Sequence, residues 1–485
     1  MKKLAVFVVL FGAAASAETT SATLPETKPG QIMTAWFKLC DAPDLKALTN
    51  WTSQNLSERA LKRFPAEGRA QDDYDECTAT SGYRIAKVTR SESKSIEMLV
   101  VGRKTGIWSN YSIELNDQDK IDRARFFPTT PPEESLPKHL SDEAIARELT
   151  SHIAKASQAG LFSGIVSIAR GTKTIASAAG GYANHTSKTP ITGSTQFTLG
   201  SLGKMFTAAA IGQLVDQKKI SFDDAIGKFF PDYPNQTVRE KVTLGMLLTH
   251  TSGMGDFLGK RTPDMMKNGV KRASDFMPLY DKDEPQFAPG SNRAYSNAGL
   301  ALAGAIVEKV SGEAYPDYIR KHIFEPAGMT NSDPNNIPHR DPRMVTPYTK
   351  FGPTGPAKYW REAEADIGSP AGGAISTADD LVKFADALRT GKLVSRATFE
   401  ELAKPRGGET TAFGGKYGYA MEIKEVYGQT AVGHGGGFPG VSTHLYIILN
   451  SPYTVVVLAN QDPPADANGG LYALGLMAER AKRKN

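Results

Sequence analysis

The sequence predicts an α/β protein of the α+β sandwich kind: an antiparallel sheet flanked by helices with a helical subdomain, preceded by a small α+β N-terminal domain. Three observations predict it. Strand-like runs stand near both ends of the long C-terminal part, at residues 165–169 and 174–178 and again at 417–423, 442–449 and 453–458. A long helical middle separates them, so the first and last strands share one antiparallel sheet. Ahead of it all, helical patterns give way to a three-strand meander, the order of a small separate unit.

In chain order, residues 1–17 read as a secretory signal. Lys2 and Lys3 make the positive start, residues 4–11 the apolar core, and Ala15-Ser16-Ala17 the small-residue cleavage site. No cysteine follows the apolar core, so a lipid anchor is not expected. A retained anchor is the alternative, but the apolar run is shorter than the roughly 20 residues that span a bilayer. The expectation is a secreted protein, with the periplasm as its compartment and no stable membrane anchor. Removing the signal takes two lysines and no acid, lowering the formal charge from +5 to +3, too little to call for nucleic acid.

Residues 18–127 form the first domain, opening with a polar stretch that holds Pro25 and Pro29. An apolar helical pattern follows (Met33, Trp36, Phe37, Leu45, Leu48), then a short helix near residues 57–63 and strands at 84–88, 96–101 and 108–115. The block resembles the cone-shaped, nuclear-transport-factor-like domains found ahead of some secreted serine hydrolases. It holds no catalytic set; substrate recognition, dimerisation and a structural role all stay open for it. Cys40 and Cys77, the only cysteines, either pair in an oxidising compartment or remain buried thiols. Neither they nor the histidines show a ligand spacing, so no metal site is expected.

Pro128, Pro131, Pro132 and Pro137 mark residues 128–138 as a linker, and 139–485 as the second domain. That domain starts with a helix (Leu140, Ile145, Leu149, Ile153) and a hairpin. Residues 242–254 read as a short helix ended near Gly253, with His250 a candidate base or a helix-end cap. Residues 287–290 make a turn before Tyr295-Ser296-Asn297 and a helical run at 300–310. Ser376-Thr377-Ala378-Asp379 caps a helix around 381–388. Residues 433–437 read as a glycine loop, and a helix closes the chain.

Chemistry concentrates at Ser201. Apolar positions Met205, Phe206, Ala209, Leu214 and Val215 repeat at helical spacing, with Gly200 and Ser201 at the expected helix start, where serine is a favoured cap. Ser201 and Lys204, three apart, share one helix face. A lysine desolvated there can take the serine proton, while the first turn aims N–H groups at an oxyanion. The pattern alone is weak, since S-x-x-K also occurs at Ser91/Lys94 and Ser135/Lys138. The first lies in a strand-like run and Pro137 breaks the second, so only Ser201 opens a helix. Leu199 rules out a G-x-S-x-G elbow, and Met205 and Thr198 rule out a phosphate-binding loop.

Tyr-x-Asn recurs at Tyr182/Asn184, Tyr233/Asn235 and Tyr295/Asn297; the first two read as turns, and the third lies between a Pro-Gly turn and a helix. A tyrosine beside a cationic lysine has its pKa lowered and can shuttle the proton. Asn297 can bond that lysine and a substrate amide. In His434-Gly435-Gly436-Gly437 the glycines let a substrate lie along the following strand, or simply make a flexible loop.

Taken together, SLGK at Ser201, YSN at Tyr295 and HGG at His434, with LLTHTSG, PG-x-x-x-x-YSN and GG-x-x-ST-x-DD-L, resemble the serine β-lactamase and penicillin-binding peptidase superfamily over most of residues 140–485. The group includes class C lactamases, D-aminopeptidases, D-alanyl-D-alanine carboxypeptidases and esterases. The resemblance implies Ser201 as the acylated nucleophile, Lys204 and Tyr295 sharing its proton, and Asn297 orienting lysine and substrate. It implies a substrate-binding strand at His434, Gly436 and Gly437, an oxyanion hole from the N–H groups of Ser201 and Gly437, and no cofactor. The departure is the third motif, Lys-Thr-Gly in most lactamases of the group and His434-Gly435-Gly436 here, which weakens carboxylate recognition.

The expected function is a secreted serine hydrolase acting through a Ser201 acyl-enzyme on an ester or a D-amino-acid amide or peptide. The alternatives are a β-lactamase and a non-hydrolytic penicillin-binding-like sensor or scaffold. The expected partner is a small-molecule or peptide substrate; oligomeric state stays open.

Overall fold

The computed structural model describes residues 21–268, 270–335, 343–352, 355–362, 368–406 and 415–483. The signal sequence read at residues 1–17 lies outside the described residues.

The N-terminal unit sets four helices against a four-strand antiparallel sheet. The helices are α1 (Lys28–Asp41), α2 (Leu45–Asn55), α3 (Glu58–Arg63) and α4 (Ala66–Thr80). The strands, in spatial as in chain order, are β1 (Tyr83–Ser91), β2 (Ser95–Gly102), β3 (Trp108–Leu115) and β4 (Ile121–Pro128). The apolar pattern from Met33 to Leu48 belongs to two helices, because Pro43 disfavours a helical residue before it and Asp44 caps α2 by accepting from Ala47 N. Sequence reading misses α4 and β4. The inward residues of α4 are Ala66, Ala70, Asp73, Cys77 and Thr80, small or polar, so no apolar stripe shows. Edge strand β4 exposes Arg123, Ala124 and Arg125 and shows little alternation. Trp36, Phe37, Tyr83 and Tyr111 fill the core, and Cys40 and Cys77 form a buried disulfide joining α1 to α4.

The second unit begins with α5 (Asp142–Gln158) and the hairpin β5 (Gly164–Arg170) and β6 (Lys173–Gly180). Short β7 (Phe197–Thr198) leads to α6 (Lys204–Asp216), and β8 (Tyr348–Gly352) pairs with β9 (Gly355–Glu362). Short β10 (Ile375–Ser376) pairs with β7. Then come β11 (Lys416–Tyr417), β12 (Glu422–Val426), β13 (Gln429–Phe438), β14 (Val441–Ile448) and β15 (Tyr453–Ala459). The main sheet runs β11-β12-β13-β14-β15-β5-β6, all antiparallel, so the last strand does lie beside the first hairpin. Strand β15 is buried throughout: Val455 and Val457 face α5 and the Ala465–Lys482 helix, while Val456 and Leu458 face the helical subdomain. In that subdomain α6 packs against the equally apolar Asn297–Ser311 helix, which explains why both are buried on nearly every side.

Three expectations change. Residues 433–437 are not a loop but the second half of β13, registered against β14 from Gly433↔Tyr446 to Gly437↔Ser442. The strand read at 417–423 is split into β11 and β12 by a turn with Ala420 at φ 50°. The helix read over 242–254 spans only Leu244–Leu248, because His250 takes φ 60° and turns the chain away.

Candidate active site

The chain reaches Ser201 through a tight entry. Leu199 N donates to the Ala374 carbonyl at 2.8 Å, and its carbonyl accepts from Thr443 Oγ1 at 2.7 Å. Gly200, at φ 54°, then turns the chain into a single 3-10 turn, Gly200–Gly203, that runs on into α6. Sequence reading expects Ser201 to cap the helix. It does not: it lies inside the 3-10 turn, and its hydroxyl faces Lys204 instead.

Lys204 is fully buried, and its Nζ donates to Ser201 Oγ at 3.0 Å, to Asn297 Oδ1 at 2.8 Å and to the Ala371 carbonyl. An ammonium has three such donors. On losing one proton it keeps the two bonds to Asn297 Oδ1 and the Ala371 carbonyl, which can only accept. The lone pair then falls toward Ser201 Oγ.

Asn297 is held just as firmly. Its Nδ2 donates to Asp256 Oδ2 at 2.6 Å, and a carboxylate beside one end of the amide fixes Oδ1 toward Lys204. The motif sits at a helix start because Ser296 is the cap, accepting from Gly299 N at 2.9 Å. Tyr295 stands just outside, its ring centroid 4.7 Å from Lys204 Nζ and its hydroxyl hydrogen-bonded to Ser201. Burial of the hydroxyl end pushes the Tyr295 pKa up, with the Ser201 bond opposing, which reverses the lowering expected from Lys204. The outer ring is open, 47% of the residue being exposed, so water screens part of that effect.

A second row of groups ties the three motifs together. His434 Nδ1 donates to the Gly435 carbonyl at 2.5 Å, and Tyr417 Oη lies 2.8 Å from His434 Nε2 and 3.0 Å from His250 Nε2. Ser296 N donates to His250 Nδ1 at 3.1 Å. Both ends are fixed: a backbone N–H must donate and a carbonyl must accept. Every bond between is therefore directed, from Ser296 N to His250, from His250 Nε2 to Tyr417, from Tyr417 to His434, and on to Gly435. The direction requires both imidazoles neutral. Burial, the largest cause in each, holds His434 down to about 4 and His250 well below its ordinary value. His250 is thus a link between motifs rather than a base facing the cleft.

The glycines of β13 allow close packing of the Ser201 turn. A Cβ on Gly436 would stand 1.9 Å from the Leu199 carbonyl oxygen, and one on Gly200 3.2 Å from Gly437 N. Strand β12 pairs with β13 only as far as Glu422↔Gly433, so beyond Gly433 no described strand covers that edge beside Ser201. A cavity of about 620 Å³ opens there, lined among others by Ser201, Tyr295, His434, Gly436 and Gly437. The structure therefore brings together all seven residues singled out from the sequence.

Sequence reading missed Asp256, the Ala371 carbonyl and Tyr417. A carbonyl leaves no mark in a sequence. Asp256 follows LLTHTSG by three residues, and Tyr417 shows in the sequence only as a strand residue. Among the described residues no three His, Cys, Asp or Glu side chains gather as metal ligands, and no helix is long and apolar enough to cross a membrane.

Comparison with known proteins bears on the family and the fold. A family model described as Beta-lactamase matches residues 147–478. Penicillin-binding protein 4* of Bacillus subtilis (strain 168) is 29% identical over 322 residues, 62% of this chain and 68% of its own length. A D-aminopeptidase of Cereibacter sphaeroides (strain ATCC 17029 / ATH 2.4.9) is 23% identical over 313 residues, 63% of this chain and 58% of its own. The crystal structure of a penicillin-binding protein from Bacillus halodurans, 29% identical, covers 68% of this chain and 97% of its own with a TM-score of 0.55.

Proposed function

The chain belongs to the Beta-lactamase family of serine hydrolases, and from that membership we propose that it is a secreted hydrolase working through a Ser201 acyl-enzyme on an ester or a D-amino-acid amide or peptide. The observation that carries this is Lys204 Nζ at 3.0 Å from Ser201 Oγ, with Asn297 Oδ1 and the Ala371 carbonyl holding its other protons. In the proposed reaction Ser201 Oγ attacks the carbonyl carbon as its proton passes to Lys204 Nζ. The N–H groups of Ser201 and Gly437 receive the oxyanion. The Tyr295 hydroxyl then passes a proton to the departing alkoxide or amine, the C–O or C–N bond breaks, and an ester remains on Ser201. Water, deprotonated by the same pair, attacks that ester and restores the serine. Along the open edge of β13 the substrate adds strand-like hydrogen bonds.

The third motif favours an ester or amide over a β-lactam. His434 is 2% exposed, neutral at pH 7 and turned to Tyr417, so it offers no cation to a substrate carboxylate. Export is supported by the signal pattern at residues 1–17 and by the Cys40–Cys77 disulfide, which persists in an oxidising compartment.

The test uses Ser201→Ala beside wild type, with p-nitrophenyl acetate and D-alanine p-nitroanilide as substrates and intact mass after incubation with benzylpenicillin. Turnover should fall by at least about 1,000-fold in the variant, as for other residues that act as a unit. Residual activity above roughly a tenth would remove Ser201 from the role. A wild-type penicillin adduct absent from the variant marks a slowly deacylating peptidase-like site. Rapid consumption of the drug by wild type alone would favour the lactamase reading.

A further inference from the structure

The cavity beside Ser201 does not end within the matched family region. One cavity of about 620 Å³ is lined both by Ser201, Tyr295 and Gly437 and by Phe127, Pro128 and Thr130. The latter three come from β4 and the segment after it, before residue 147, where the family match begins.

Strand geometry explains why Phe127 is available. Phe126 packs edge-on against Tyr111 and Tyr83 in the N-terminal core, with ring centroids 5.2 and 5.5 Å apart. Successive side chains on a strand point to opposite faces. Phe127 therefore leaves that core, and it belongs to none of the three apolar clusters of the described residues. Its cross-strand partner Asn110 reaches the same cavity.

The glycine run lets neighbouring residues close in on β13. A Cβ on Gly435 would stand 2.9 Å from His444 Nδ1, and one on Gly437 3.1 Å from Pro463. The lining as a whole is more apolar than polar: Phe127, Pro128, Ala431, Pro464 and Leu471 contribute to it, with Lys424 and Asp466 among its charged members. The volume lies within the roughly 300–1,000 Å³ of pockets that enclose whole drug-sized ligands, far more than a two-carbon acyl group fills.

The segment at 128–138 is not a loose tether. Leu136 is 3% exposed within the core shared by the sheet and the C-terminal helix. The Pro131 carbonyl accepts from the Tyr427 hydroxyl. Glu133 meets Lys482 at 3.0 Å, and Asp75 of α4 meets Lys350 at 2.7 Å. The N-terminal domain is thereby fixed beside the cleft.

We propose that the N-terminal domain builds a substrate subsite, and that the protein selects esters or amides bearing an apolar portion several carbons long, seated against Phe127 and Pro128. This rests on Ser201 being the nucleophile.

The experiment measures kcat/KM of the full chain on two series: p-nitrophenyl acetate against octanoate, and methyl against benzyl esters of one acid. At least one series should show a preference of about tenfold or more for the larger group. Phe127→Ala should cut that preference by about tenfold, and Phe127→Leu should keep most of it. Asn110→Trp, at an exposed position on β3, should block the larger substrate at least tenfold more than the smaller. Thermal melts of each variant separate lost folding from lost selectivity. Absence of preference in both series, or a preference unmoved by Phe127→Ala and Asn110→Trp in folded protein, overturns the subsite. If Ser201→Ala remains active, the nucleophile assignment fails instead, whatever the Phe127 variants do.

Discussion

Tyr417 stands between two imidazoles, and its one proton serves only His434, so its oxygen must accept from His250. Burial raises its pKa well above the ordinary value, which keeps it a neutral hydroxyl able to do both. Tyr417→Phe removes both bonds and strands a donor and an acceptor inside the protein. The expected cost is about 1–3 kcal/mol of stability for each group left unpaired, seen as a lower midpoint in urea. Because the chain of bonds joins the loop of Tyr295 to the strand of Gly437, kcat on p-nitrophenyl acetate should also fall by roughly tenfold with little change in KM. A variant with wild-type stability and rate would show that the imidazoles do not depend on Tyr417. Ser201, Lys204, Tyr295 and Asn297 were legible at this scale as candidates, from short motifs read in their context and the family resemblance those motifs carry. Tyr417 was not, since its role is defined by partners 167 and 17 residues away.

Among elements, strongly patterned ones were visible and weakly patterned ones were not. Helix α5 and the hairpin β5–β6 carry clear periodicity and lie where the sequence puts them. Strand β13 was hidden because a glycine run has no side chains to alternate; only pairing with β14 makes it a strand. Helix α4 escaped notice for its small, polar inner face, yet it carries half of the disulfide. Closing a loop with a sequence separation of 37 is worth about 4 kcal/mol in the chain-entropy account. Cys40→Ser with Cys77→Ser, or reduction of wild type, should therefore bring a calorimetric transition of the N-terminal region to lower temperature. An unchanged scan under reducing conditions would mean the helices and sheet hold without the bridge.

For the whole molecule, acid should act oppositely on the two units. Burial lowers His434 and His152 to about 4, against an unfolded value of about 6.5. Between those values the unfolded chain binds protons that the folded chain refuses. Their stabilisation is thus complete above about pH 6.5 and is lost as the pH falls toward 4, on the order of 3 kcal/mol for each histidine. In the N-terminal unit burial raises the pKa of Asp73 and Glu76, so the folded form takes up protons first and gains stability as the pH falls. Calorimetry at pH 7 and pH 4.5 should show the hydrolase transition moving down while the N-terminal one holds or rises. Parallel movement of the two would contradict this.

By itself the sequence determined the class of fold and the division into a small leading unit and a large second one, and it named the residues that the candidate site brings together. The first two depend on periodicity and proline, which are local properties of the chain; the candidate residues came from short motifs and the family resemblance those motifs carry. Tertiary structure alone decided that Asp256 and the Ala371 carbonyl orient Asn297 and Lys204. It alone decided that two histidines are neutral links rather than bases, and that Phe127 shares a cavity with Ser201. Each of those depends on burial or on contact between distant segments, and neither is written in the order of residues.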